Sequence, residues 1–193
     1  HDNYVFNVIM GDKNYYSGYE NAETSSEYYS GEEKFDKSYL DSVQDIIQQG
    51  EKVSELMEDY YANNLVMDSF AIENQKKLFE ILLNSDGAVL FHCAHGKDRT
   101  GIASMLVLNA LGVEKSEIIA DYLRSQQGLE KYIEDYTQNA KSLGYSEEVI
   151  SQLLDFLSVR EGYILAAYSA IEKECGSVEN YIRDYLGITD EQI

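Results

Sequence analysis

AVLFHCAHGKDRTGIASMLVLNALG, Ala88 to Gly112, carries three kinds of local order in a row. Ala88 to Phe91 is a short apolar run of the length and character of a buried strand. From Thr100 to Leu111 the residues are apolar almost all round (Ile102, Ala103, Met105, Leu106, Val107, Leu108, Leu111), which predicts a central helix that Gly112 ends at C′. Strand, tight loop and helix in that order predict an α/β fold. The loop between them, HCAHGKDRTG from His92 to Gly101, holds nearly all the reactive side chains of the region.

A loop that enters a helix N-terminus is an anion site, because the first backbone N–H groups have no intrahelical partner and the helix dipole adds partial positive charge. Gly96 permits the curvature that turns several N–H groups inward. Arg99 adds a planar fork that matches two phosphate oxygens. Cys93 opens the same loop, where such donors favour the nucleophilic thiolate over the thiol. The arrangement needs no metal or other cofactor, since the loop and Arg99 supply positive charge themselves. It implies attack of Cys93 on a phosphomonoester and hydrolysis of the resulting phosphocysteine by water. Asp98 and Asp12 are the two candidates for the acid that protonates the leaving oxygen, and Thr100 can give its hydroxyl proton to the thiolate that leaves in the second step. His92 is expected to orient the loop through backbone contact rather than act as a base. Lys97 is read either as a solvated loop lysine or as a phosphate contact.

Three other readings of the loop are weaker. A chance pairing of one cysteine and one arginine does not account for His92, Gly96, Lys97, Asp98, Thr100 and Gly101 all in register. Zinc finds three candidate ligands in His92, Cys93 and His95, with Cys175 remote, but no second ligand pair at the usual spacing. A nucleotide P-loop ending at Gly96-Lys97 needs glycine at position 91 and serine or threonine at position 98, which are Phe91 and Asp98.

Cys-x5-Arg followed by Thr is the signature of the cysteine-based phosphatases, and HCAHGKDRTG resembles the form HCxxGKDRTG of the atypical bacterial protein-tyrosine phosphatases. ADYLRSQ (Ala120 to Gln126) and GSVENYIRDYLGITDEQI (Gly176 to Ile193) resemble that family's segments after the central helix and at the C-terminus. The resemblance implies Cys93 as nucleophile, Arg99 as phosphate clamp, Asp98 as the loop aspartate tied to catalysis, and Lys97 as a substrate-phosphate contact. Ala94, His95, Gly96 and Thr100 then complete the phosphate cradle, with His92 in support. It implies action on phosphotyrosine and, as in several members, on phosphoserine, phosphothreonine or phosphoinositides. The fold it implies is a central sheet surrounded by helices, with strands N-terminal to Tyr4 that this sequence does not carry, so the domain is expected to lack its N-terminal part. His95 departs from the pattern at a position usually small or hydroxylic. A Trp-Pro-Asp acid loop requires tryptophan and proline, of which the sequence has none; that moves weight to Asp98, with Asp12 second. The competing class is a phosphate-binding module or inactive fragment without turnover.

Outside the loop the sequence is less specific. Its 193 residues fit a single domain, 1–193. Thirty-five acidic against 15 basic side chains, a net charge of −20, speak against a nucleic-acid partner and require any anionic substrate to find a local positive pocket. No apolar run approaches the roughly 20 residues of a bilayer span. The sequence opens on His1 and leaves the compartment, cytoplasmic or secreted, and the oligomeric state undetermined. Cys93 and Cys175 are read as thiols and Cys175 as structural. Tyr4 to Met10 reads as a strand ending at Gly11-Asp12. Ser17 to Asp36, with six acids against one lysine, reads as a loop, and 13–61 as a lid over the pocket. Ser38 to Tyr61 is expected as one helix or two broken near Gly50, and Ser69 to Leu83 as another. Glu117 to Ser125 (capped by Ser116), Leu129 to Leu143, Ser146 to Leu157, Glu161 to Glu174 and Val178 to Leu186 complete a helical C-terminal half.

Overall fold

The computed structural model describes residues 4–7, 37–189 and 191–192. In chain order these form β1 (Tyr4–Asn7), α1 (Ser38–Gln48), α2 (Val53–Asp59), a π turn (Tyr60–Asn64), α3 (Ser69–Asn84) and β2 (Val89–His92). Then follow α4 (Asp98–Ala110), α5 (Lys115–Arg124), α6 (Gln126–Ser142), α7 (Glu147–Leu157), α8 (Glu161–Cys175) and α9 (Val178–Asp184). Asp12 and the acidic stretch from Ser17 to Asp36 lie outside the described residues.

Among the described residues a central sheet is not shown beyond one pair of strands. Among the described residues the expected central sheet is two strands, β1 and β2, paired in parallel with Tyr4 opposite Val89 and Asn7 opposite His92. The strand at 88–91 is not buried on both faces either: exposure alternates along it and Leu90 is 61% exposed. Apolarity alone does not distinguish a strand covered on both faces from one covered on one, and here period-two alternation sets which side chains meet the helices.

Helices dominate, and their ends show how local sequence sets them. Ser38 to Tyr61 divides at Gly50, whose φ of 76° is open to glycine without strain. α2 then restarts at Val53, whose N–H donates to Gln152 Oε1 on α7 at 2.8 Å, a cap supplied from a distant helix. Asp68 accepts from the N–H groups of Phe70 and Ala71 at the start of α3, and Ser146 and Ser177 cap α7 and α9 in the same way. Ser116 does not cap α5: Glu114 occupies that position with extended backbone, and Ser116 sits inside the first turn. Gly112 (φ 73°) ends α4 as expected, but Leu111 just before it is exposed, so α4 is buried through Ile102, Ala103, Met105 and Leu106 rather than all round.

One core runs from α1 to the C-terminus. Leu40 and Val43 of α1, Val53 and Met57 of α2, and Tyr61 of the π turn are buried in it, so the described part of the 13–61 stretch is helical and packed into the body of the protein. α1 and α2 both lie against α7. The abundance of tyrosine, 17 with no tryptophan, has a structural account here: Tyr61, Tyr163, Tyr168 and Tyr181 are among the largest fully buried side chains. Each combines a large apolar ring with a hydroxyl that finds a partner, as buried phenols require: Asp98, the Asp155 carbonyl, Asn109 and the Val66 carbonyl respectively.

Candidate active site

The loop begins where β2 ends. Cys93 follows His92 directly and is 8% exposed, at the base of the turn rather than on its rim. Five residues later α4 begins at Asp98, after a turn at Gly96 with φ 65°. The first intrahelical bond of α4 is Gly101 N–H to the Lys97 carbonyl at 2.8 Å, so the amides ahead of it have no intrahelical acceptor. Asp98, in the first turn, places a carboxylate at the positive end of the helix dipole.

Asp98 is held from two sides. Tyr61 donates its hydroxyl proton to Asp98 Oδ1 at 2.6 Å, and Lys97 Nζ lies 3.3 Å from the same oxygen. Lys97 is buried, and its ammonium also donates to the Phe156 carbonyl at 2.7 Å, in the last turn of α7. The lysine read from sequence as a phosphate contact is thus turned into the protein, where it joins the loop to α7. The physical reason is electrostatic: the C-terminal carbonyls of a helix attract a cation, and the Phe156 ring lies 5.6 Å from the same nitrogen.

Behind Asp98 the hydrogen bonds continue. Tyr122 Oη is 2.8 Å from Tyr61 Oη; since Tyr61 gives its proton to Asp98, Tyr122 is the donor between them. Burial, with Asp98 adding to it, pushes both phenols well above the ordinary tyrosine value of 10, so both remain donors at neutral pH. Close approach of α5 to α4 makes this possible: a Cβ on Gly101 would stand 2.8 Å from Tyr122 Cδ2. Tyr61 was not singled out in the sequence, and its only local signal is a tyrosine at the end of an amphipathic helix.

The remaining loop residues are placed as follows. Thr100 Oγ1 is buried with no hydrogen-bond partner, and Thr100 lines a cavity of about 60 Å³ between α4 and α5. His92 is exposed, with Nδ1 3.3 Å from the Cys93 carbonyl. Ala94 is exposed and Arg99 half-buried. His95 is half-buried against Tyr132 of α6, ring centroids 5.0 Å apart, and Tyr132 lies 4.7 Å from Tyr136. An aromatic wall thus rises beside the loop. Among the described residues no three His, Cys, Asp or Glu side chains gather into a group that could hold a metal ion. None of the helices described is long and apolar enough to cross a membrane.

Comparisons with known proteins point to one family. The chain is 41% identical over 105 residues to a Cupriavidus necator protein provisionally named a tyrosine-protein phosphatase, covering 54% of this chain and 37% of that protein. It is 39% identical over 111 residues to the triple specificity protein phosphatase PtpB of Mycobacterium tuberculosis, covering 53% and 40%. To a tyrosine-protein phosphatase of Nostoc commune it is 35% identical over 121 residues, covering 61% and 41%. The matches therefore span about two fifths of the length of these relatives. A family profile described as the tyrosine phosphatase family matches residues 13–193, nearly the whole chain. On the strength of that match and the Cys93 to Thr100 loop, the chain belongs to the tyrosine phosphatase family.

Proposed function

We propose that the protein hydrolyses phosphomonoesters through a phosphocysteine intermediate, with phosphotyrosine as the main substrate class. The observation that carries this reading is the position of Cys93, buried where β2 ends and followed within seven residues by the orphaned hydroxyl of Thr100. In the first step Cys93 Sγ, as thiolate, forms a bond to phosphorus while the bond from phosphorus to the ester oxygen breaks. That oxygen takes a proton from Asp98. The loop amides and the Arg99 guanidinium hold the three equatorial oxygens. In the second step a water oxygen attacks phosphorus and loses its proton to Asp98. The sulfur–phosphorus bond breaks, and Thr100 Oγ1–H donates to the departing thiolate. A buried hydroxyl left unpaired costs about 1–3 kcal/mol, and a thiolate that needs a donor only at that moment gives Thr100 a reason to bear that cost.

Substrate breadth follows the same reading. The wall of His95, Tyr132 and Tyr136 suits an aromatic phosphoester by ring contact. Similarity to a triple specificity protein phosphatase supports a range wider than one class, and the resemblance of the loop makes phosphoserine, phosphothreonine and phosphoinositides the further classes. Lys97, tied to Phe156 and Asp98, supports the lipid class less than its charge suggests. A larger sheet built on β1 and β2, with cover over Leu90, is part of the proposal.

Turnover of p-nitrophenyl phosphate in the presence of EDTA tests the mechanism. Wild-type protein should turn over, and Cys93→Ser should lose at least about 10³-fold in kcat, since serine at neutral pH is almost wholly un-ionised. Undiminished rate in Cys93→Ser, or no rate in either protein with intact binding of vanadate, would defeat it.

A further inference from the structure

We propose that Tyr61 is a positioning residue for the general acid: it fixes Oδ1 of Asp98 inward, so that Oδ2 alone presents a proton to the leaving oxygen. The inference rests on Asp98 being the acid, as proposed above. It goes beyond that reading by naming what orients the carboxyl and which oxygen does the work.

The geometry leaves Asp98 little freedom. Its Oδ1 accepts from Tyr61 Oη at 2.6 Å and faces Lys97 Nζ at 3.3 Å. An oxygen already facing two donors is the worse place for a further proton, so the proton that Asp98 carries sits on Oδ2. The side chain is 21% exposed, enough for one oxygen to reach substrate while the other stays in the protein. Tyr61 itself is 0% exposed and its ring is boxed by Tyr122 at 6.2 Å and Tyr163 at 5.5 Å. Its hydroxyl is further fixed by Tyr122, whose Oη lies 2.8 Å away. Tyr122 and Tyr61 therefore each donate in one direction, toward Asp98 and the loop. Without Tyr61 the carboxyl can turn about χ2 between two roughly equivalent states, and the acid is correctly aimed only part of the time.

A positioning role predicts a pattern that a merely structural role does not. Tyr61→Phe keeps the ring and removes only the donor. Across a series of aryl phosphates, kcat/KM, which reports the step that expels the leaving group, should fall by roughly 10-fold for a poor leaving group such as phenol, part of the 10²–10⁴ that an acid contributes. For 2,4-dinitrophenol, which leaves without a proton, kcat/KM should stay within about 2-fold. In an Asp98→Asn background Tyr61→Phe should cost no further rate. Tyr122→Phe leaves the Tyr61–Asp98 bond in place, so it should show a weaker version of the same slope. That variant serves as a second reading if Tyr61→Phe folds poorly. A loss that is equal for all leaving groups, or a full Tyr61→Phe effect on the Asp98→Asn background, would overturn the proposal. If Asp98→Asn itself shows no dependence on the leaving group while Cys93→Ser is inactive, the assignment of Asp98 as acid fails instead.

Discussion

Replacing Lys97 by methionine separates a lysine that reads substrate from one that ties the loop to the fold. Methionine keeps an unbranched stem of similar length, so packing changes little while the ammonium is lost. Two contacts go with it. The hydrogen bond to the Phe156 carbonyl, 2.7 Å long and donated by a charged group, is worth about 1.5–3 kcal/mol. The pairing with Asp98 at 3.3 Å adds less, because Asp98 keeps Tyr61 and is in part solvated. Taking about 0.5–1 kcal/mol for the second contact gives a loss of roughly 2–4 kcal/mol, or on the order of 4–16 °C in Tm for a domain of this size. Thermal melting followed by circular dichroism measures the stability change, and steady-state kinetics on a phosphotyrosine peptide and on a multiply phosphorylated inositol lipid measure its effect on substrates. The expected result is a lower Tm, a lower kcat through Asp98, and KM values for the two substrates that move together. A Tm within about 1 °C of wild type, coupled with a KM that rises tenfold for the lipid alone, would refute the inward placement of Lys97 and return it to the substrate.

Two further outcomes follow from the same region. Gly101→Ala gains at most about 1 kcal/mol from the better helix former, but its Cβ meets Tyr122 Cδ2 at 2.8 Å, and such overpacking costs about 1–3 kcal/mol; the variant should be no more stable than wild type and should weaken the Tyr122–Tyr61 bond, and a Tm clearly above wild type would show that Tyr122 yields freely. At alkaline pH the folded protein keeps Tyr61, Tyr122 and Tyr181 protonated because burial raises all three well above 10, whereas the unfolded chain ionises near 10. The stability they contribute is therefore complete below pH 10 and is lost as pH rises toward their folded values, by about 1.4 kcal/mol per pH unit for each. Phenolate absorbance and circular dichroism should then change together above pH 10, and smooth ionisation of these three tyrosines without unfolding would contradict their burial.

What the sequence made legible is what short-range chemistry determines. Gly96 and Gly112 sit where left-handed backbone ends a turn or a helix, and Cys93, Asp98 and Arg99 fall on a strand end, a first helical turn and the residue after it. The helix break near Gly50 was legible for the same reason. What escaped depends on partners far along the chain. Nothing within several residues of Lys97 says that its ammonium will meet the carbonyl of Phe156, nor does the pattern around Tyr61 announce a hydroxyl pointed at Asp98, 37 residues on. Leu90 shows the complementary failure: a four-residue apolar run does not state how many of its faces are covered. Ser116 is a good cap by residue type, but Glu114 already has the extended backbone that starts α5.

The bond from Lys97 to Phe156 also has a consequence for biogenesis. Its two ends are 59 residues apart in sequence, so at roughly 5–20 residues per second Cys93, the proposed nucleophile, is synthesised on the order of 3–12 seconds before the residue that anchors its loop. During that interval Cys93 belongs to a nascent segment whose helix start has not yet gained its far support. The thiol is made early, and the contact that ties its loop to the fold is made late.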